Sequence, residues 1–128
     1  MALTLIVGSN KNFDTLSGSL KRCFEVITVS SYGVAMNIAS ELAIDLLVVD
    51  ENLSGIDGLK IIKEVTNINP FINTALVSSL SPEEFHDVSE GLGIIMQLST
   101  SPTLEEANIL VEKFNEILTL TATNGSHI

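Results

Sequence analysis

The chain contains little cysteine, little positive charge and no tryptophan. Of its 128 residues only Cys23 is a cysteine, which excludes an internal disulfide. Six lysines and arginines stand against 16 aspartates and glutamates, and the resulting net charge of -10 would repel nucleic-acid phosphates and anionic lipid alike. We therefore expect neither a nucleic acid nor a membrane as a direct partner.

Long apolar runs and targeting signals are also missing. No apolar stretch approaches the ~20 residues that cross a bilayer, and the N-terminus does not combine a basic region, an apolar run and a small-residue cleavage site. We expect a soluble, cytoplasmic protein. The length and the 45% hydrophobic content suit a single domain, predicted over residues 1–120, followed by a polar C-terminal tail at 121–128.

Five short apolar runs alternate with five helical patterns. The runs lie at 4–7, 25–29, 46–49, 74–77 and 94–98 and lack polar alternation, which is typical of strands covered on both faces of a parallel sheet. Between them, apolar residues recur with the 3.6-residue period of a helix. Ser81 and Thr103, each followed by a glutamate three residues later, are predicted N-caps. The alternation predicts an α/β fold with helices on both faces of a parallel sheet.

Asp50 stands at the end of the third apolar run, where the stretch 45–58 reads DLLVVDENLSGIDG. This stretch resembles, without a gap, the phosphoacceptor strand and loop of response-regulator receiver domains, roughly D-L-V-L-L-D-x-x-M-P-x-M-D-G. Residues 24–39, FEVITVSSYGVAMNIA, are similar to the second strand and helix of that family. The resemblance covers residues 3 to about 118. It implies a doubly wound, flavodoxin-like sheet of five parallel strands in the order 2-1-3-4-5.

Three site positions of the family are matched. Asp50 takes the phosphoacceptor position, Ser78 takes the hydroxyl position after the fourth strand, and Asn52 is the residue whose backbone carbonyl would face a metal. The resemblance implies a module of two-component, or phosphorelay, signalling that is not itself an enzyme. Its expected partner is a histidine kinase, a phosphotransfer protein, an output domain or a second copy of the chain.

The charged positions of the family are not matched. Gly8 and Ser9 stand where the family has its acidic pair, and Ser101, before a proline, stands where it has a lysine. Phosphoryl transfer depends on electrostatic stabilisation, which a divalent metal and this lysine supply in receivers. We therefore expect no cofactor, or Mg²⁺ bound weakly through Asp50 and the backbone of Asn52.

Three further residues were assigned from the pattern. Leu98 stands where the family has its aromatic switch residue, and Ser54 replaces a proline of the phosphoacceptor loop. The bond before Pro102 is commonly cis in the family, and the sequence leaves its isomer open. Cys23 falls on the apolar stripe of the first helix and is predicted to be a core residue.

These observations leave three hypotheses for the function. The first is a divergent receiver, or pseudo-receiver, that signals through protein contacts, with phosphorylation weak or absent. The second is a working phosphoacceptor with an atypical metal site, in which Glu51 or Asp14 is a substitute carboxylate. The third is a flavodoxin-like small-molecule binder, which neither a tryptophan nor a phosphate-binding loop supports. Asp50 is equally consistent with a role that only caps the following turn.

Overall fold

The computed structural model describes residues 2–8 and 13–126, with residues 121–126 described as backbone only. The strands are β1 (Leu3–Val7), β2 (Glu25–Val29), β3 (Leu46–Asp50), β4 (Asn52–Leu53), β5 (Ile56–Asp57), β6 (Asn73–Val77) and β7 (Ile94–Leu98). The helices are α1 (Asp14–Lys21), α2 (Tyr32–Glu41), α3 (Gly58–Ile68), α4 (Pro82–Ser89) and α5 (Leu104–Ser126). In the part of the chain that the structure describes, no helix is long and apolar enough to cross a membrane.

Five of the strands form one parallel sheet in the order β2-β1-β3-β6-β7. Counted without the short strands β4 and β5, this is the order 2-1-3-4-5, which confirms the predicted doubly wound, flavodoxin-like fold. β4 and β5 form a separate antiparallel hairpin immediately after β3. Strand β3 therefore lies in the middle of the sheet, between β1 and β6.

Successive residues of the inner strands bury their side chains on opposite faces of the sheet. Leu5, Val7, Leu47 and Val49 pack with residues of α2 and α3 on one face. Ile6, Leu46 and Val48 pack with residues of α1 and α5 on the other face. This double burial explains why the inner strands read as continuous apolar runs.

Tyr32, the first residue of α2, contacts helix α3. Its hydroxyl donates a hydrogen bond to Glu64 Oε2, and Lys60 Nζ lies 5.9 Å from the centre of its ring. The hydrogen bond to Glu64, followed by burial and the Glu64 charge, raises the pKa of Tyr32. Tyr32 thus makes a contact between helices α2 and α3.

The predicted N-caps are both present. The Ser81 hydroxyl accepts the Glu84 N–H at 3.2 Å, and the Glu84 carboxylate accepts the Ser81 N–H at 3.2 Å. Thr103 and Glu106 make the same reciprocal pair at the start of α5, at 3.1 and 3.3 Å. Helix α5 runs to Ser126, so the helix continues into the segment that we interpreted as a polar tail.

The prediction for Cys23 is wrong, because this residue is exposed. Helix α1 ends at Lys21, and the turn that follows is closed by the backbone N–H groups of Cys23 and Phe24, which both donate to the Leu20 carbonyl. Phe24 takes the buried position instead and packs edge-on against Phe114, with 5.1 Å between the ring centres. The helical period does not extend through this turn.

A test of the core concerns the fully buried Thr4. Its Oγ1 has no hydrogen-bond partner among the described residues. Thr4→Val keeps the branched shape and removes an unpaired hydroxyl, so we expect the free energy of unfolding to rise by about 1 kcal/mol in urea denaturation. The matched control is Thr74→Val, because the buried Thr74 hydroxyl donates to the Gly93 carbonyl at 3.4 Å. That variant should lose about 0.5 to 1 kcal/mol; equal changes in both variants would contradict the interpretation.

Candidate functional site

Three residues predicted for the site lie at the carboxyl ends of neighbouring strands. Asp50 is the last residue of β3, Gly8 follows β1, and Ser78 follows β6. Because β1 and β6 flank β3, and Asp50 pairs in register with Val77 of β6, these three residues share one edge of the sheet. Ser9, at the other acidic-pair position, lies outside the described residues.

The Asp50 carboxylate caps the turn that follows its own strand. Asp50 is half-buried, and its Oδ1 accepts the backbone N–H of Asn52 at 3.3 Å. This is the local hydrogen bond that aspartate commonly makes at the start of a turn. The capping role of Asp50 is therefore present in the structure, whereas its role as a phosphoacceptor stays a prediction.

Gly58 allows helix α3 to start against the loop that follows β3. A Cβ atom at Gly58 would lie 2.2 Å from the Asp50 carbonyl oxygen, which is too close for any side chain without movement of the backbone. The Gly58 N–H donates to the Glu51 carbonyl at 2.9 Å. Asp57 is the N-cap of α3 and accepts the Leu59 N–H at 2.9 Å. The Asp-Gly pair thus forms a turn and a helix start.

The hairpin of β4 and β5 has a backbone conformation that proline cannot adopt at Ser54. Its two turn residues, Ser54 and Gly55, have φ values of 51° and 90°, and the Asn52 side chain closes the turn by accepting the Gly55 N–H at 2.8 Å. Positive φ at both central residues is typical of a type I′ hairpin turn. Proline holds φ near about −65°, so the proline of the family pattern does not fit at Ser54.

Phe13 occupies the space that a side chain at position 8 would need. A Cβ atom at Gly8 would lie 2.1 Å from the Phe13 ring, and Phe13 is itself buried. An aspartate at this position would require the Phe13 ring to move. The loss of this carboxylate is therefore coupled to the packing of α1, which the sequence pattern did not reveal.

Glu51 reaches across the edge of the sheet to the loop after β6. Its Oε2 accepts the Ser79 N–H at 2.8 Å, and its Oε1 accepts the Ser79 hydroxyl at 2.9 Å. Partial burial raises the pKa of Glu51, but hydrogen bonds from the Ser79 N–H and from the Ser78 and Ser79 hydroxyls outweigh it and hold the pKa below its usual range. The contact stabilises the fold at neutral pH, and this contribution is lost as the pH falls through the lowered pKa.

The end of β7 carries no positive charge near the cleft. Ser99 directly follows the strand and donates both its N–H, at 3.2 Å, and its hydroxyl, at 3.0 Å, to Glu106 Oε2. Ser101, the predicted lysine position, is exposed, and the bond between it and Pro102 is trans. Leu98, at the predicted switch position, is fully buried against residues of α1 and α5. Leu98 is therefore a core residue in this structure.

Two clefts lie beside this edge of the sheet, and Ser78 and Leu80 line both. One, of about 380 Å³, is lined by Glu51, Asn52, Asp57, Leu59, Leu76, Ser78, Leu80 and Val88. The other, of about 400 Å³, is lined by Ser78, Ser79, Leu80, Pro82, Gln97, Ser99, Thr100 and Glu106. Among the described residues of both linings, every ionisable side chain is acidic.

The donor set does not fit Mg²⁺. Among the described residues, no group of three or more Asp, Glu, His or Cys side chains is placed to hold a metal ion. Both oxygens of Glu51 are bonded to Ser79, and Oδ1 of Asp50 is bonded to the Asn52 N–H. Asp14, the other candidate substitute, is exposed in the first turn of α1. Since Mg²⁺ binds through carboxylates that replace part of its water, weak or absent binding stays our prediction.

Comparison with known proteins identifies the fold of this chain. No protein-family model and no curated protein matches the sequence. A CheY-like response regulator receiver domain protein from Methanospirillum hungatei JF-1 is 17% identical, with a TM-score of 0.79 over 97% of this chain and 98% of that one. Similar likeness is found to chemotaxis response regulator CheY4 of Vibrio cholerae (19% identity, TM-score 0.77, 89% and 98% of the two chains). The BeF3-activated DrrB receiver domain is also similar (22% identity, TM-score 0.77, 91% and 98% of the two chains). The chain has the fold of a receiver domain.

Sequence reasoning missed two polar contacts of this receiver fold. Glu51 was considered as a metal ligand, but its carboxylate holds Ser79. Gln97 was not considered, although its side-chain amide donates to the carbonyls of Ser78 and Leu80 at 3.2 and 2.8 Å. A glutamine inside an otherwise apolar strand was the signal that would have indicated it.

The hairpin backbone gives a prediction for Ser54. Ser54→Pro should lower the free energy of unfolding by at least about 2 kcal/mol, because φ at this residue is positive. Ser54→Gly should be neutral or raise it by up to about 1 kcal/mol, since glycine adopts positive φ without a steric penalty. Thermal or urea unfolding of both variants is the measurement. A proline variant as stable as the native protein would mean that the loop adopts the proline-bearing backbone of the family.

Proposed function

We propose that the protein is a receiver-like regulatory module that acts through protein contacts, with Mg²⁺-dependent phosphorylation weak or absent. The observation that carries this proposal is the charge of the site. Glu51, Asp57 and Glu106 are the ionisable side chains that line its two clefts, and Asp50 adds a fourth carboxylate at the same edge of the sheet. A phosphoryl group on Asp50 would add negative charge to this acidic surface.

The energetic cost of that addition is substantial. A pair of like unit charges ~4 Å apart near a protein surface repels by up to ~4 kcal/mol, and a lysine or metal ion would turn this repulsion into attraction. Serines stand at the predicted lysine position, Ser101, and at Ser99, which lines the cleft. A bound phosphoryl group would therefore have little differential affinity for two states of the protein, and it would shift them little.

The surface of α4, β7 and α5 supports a role in protein contacts. Helix α4 has no buried residue, and Val88 on it is 38% exposed. Phe85 and Met96 are half-buried, so each exposes only part of its side chain to that surface. Helix α5 adds a shallow concavity of about 600 Å³, lined by Glu112, Asn115, Glu116, Thr119 and Leu120. A histidine kinase, a phosphotransfer protein, an output domain or a second copy are the partners that we propose for it.

One prediction of the proposed function concerns phosphorylation of Asp50. In the presence of millimolar Mg²⁺, we expect no phosphoryl adduct from acetyl phosphate by mass spectrometry and no NMR shift changes at Asp50 and Ser78 with beryllofluoride, because the described residues that line the site include no lysine or arginine. The DrrB receiver domain, which is known in a BeF3-activated form, is the positive control. An adduct that disappears in Asp50→Asn would favour a working phosphoacceptor with an atypical metal site.

The second prediction concerns the docking surface. Glu83→Lys on α4 and Glu112→Lys on α5 reverse exposed charges, so each should weaken partner binding, or self-association if the partner is a second copy, by about threefold to tenfold. Asp50→Asn should leave the same affinity unchanged. Calorimetry with the partner, or sedimentation for self-association, is the measurement. A large loss confined to Asp50→Asn would restore phosphorylation as the switch.

A further inference from the structure

The loop after β6 is held by a carboxylate from the loop after β3. The two hydrogen bonds from Ser79 to Glu51 join residues that are 28 positions apart, and thus link two strand ends. Ser79 is exposed, so water is available to its N–H and hydroxyl. Their pairing with Glu51 therefore reflects the matched geometry of the two loops, and it is not imposed by burial.

The same loop is also held by its own serine and by β7. The Ser78 hydroxyl accepts the Leu80 N–H at 3.0 Å. On the other side, the Gln97 amide donates to the carbonyls of Ser78 and Leu80. The donors of Ser79 thus meet an anion, and the carbonyls of Ser78 and Leu80 meet an amide, so hydrogen bonds from both sides fix the backbone of residues 78–80.

Backbone N–H and hydroxyl groups that converge at the end of a parallel strand form an arrangement that suits an anion. Here the anion is the side chain next to Asp50. We propose that Glu51 is a built-in anion, which takes the donors of the β6–α4 loop that a phosphoryl group on Asp50 would need. The loop is thereby held permanently in its anion-bound arrangement. This inference deepens the proposed function and rests on it, because it names the residue that keeps the docking surface in one state.

Competition between two anions follows from this arrangement. While Glu51 occupies Ser79, an external phosphate must displace a tethered carboxylate whose local concentration is far higher than its own. Removal of the Glu51 side chain frees the Ser79 N–H and the Ser79 hydroxyl together and removes a neighbouring negative charge. The β6–α4 loop should then become more mobile and should accept inorganic phosphate.

The test uses amide hydrogen exchange of the full chain, measured by NMR. In Glu51→Gln, which keeps the size of the side chain, the Ser79 amide should exchange about tenfold faster than in the native protein, as expected for the loss of a charge-assisted hydrogen bond. The control is Glu41→Gln, which neutralises an exposed carboxylate at the end of α2 and should leave Ser79 unchanged. Equal exchange of Ser79 in the native protein and in Glu51→Gln would overturn the proposal.

The second arm is a titration with inorganic phosphate. In Glu51→Ala, phosphate should shift the amide resonances of Ser78 and Ser79 in a saturable manner, whereas the native protein should show no shift at the same concentrations. No saturable shift in the variant, or the same shift in the native protein, would overturn the role of Glu51 as a stand-in for phosphate. Phosphorylation of native Asp50 would contradict the proposed function instead, and it is measured independently of both arms.

Discussion

The burial of β3 on both faces is the constraint on which the remaining structure depends. All four residues from Leu46 to Val49 are fully buried, with alternate side chains in the two halves of the core. A strand buried in this way must end where the sheet ends, and its first polar residue is therefore delivered to the edge of the sheet. Asp50 is half-buried because it is that residue.

The residues after β3 convert this placement into a rigid edge. Gly58 lets α3 begin against the Asp50 carbonyl, and the short hairpin turns on the positive φ values of Ser54 and Gly55. The Glu51 side chain points to Ser79 in the loop after β6, the neighbouring strand of the sheet. The edge is held together by hydrogen bonds among the chain's own groups, where an intact phosphoacceptor site would use a metal ion and a lysine.

The departures from the receiver pattern are coupled to packing. Where the family has a carboxylate, this chain has Gly8, and the buried Phe13 ring fills the space beside it. Where the family has a proline, this chain has Ser54, whose φ is positive. At Leu98 the missing aromatic corresponds to a core position. Restoring single residues of the family pattern at Gly8 or Ser54 should therefore strain the structure, so we expect the site to differ from that pattern in its shape as well as in its charge.

The alternation of apolar runs and helical periods determined the α/β class, the five sheet strands and the helix caps, because these depend on local propensity and on one-dimensional periodicity. The resemblance of residues 45–58 added the strand order. The exposure of Cys23, the Phe13 ring over Gly8 and the reach of Glu51 to Ser79 were decided only by the tertiary structure. The exposure of Cys23 depends on where helix α1 ends. The other two contacts join segments that are separated in the sequence, and these segments come together only when the sheet is assembled, so the order of residues along one element does not reveal them.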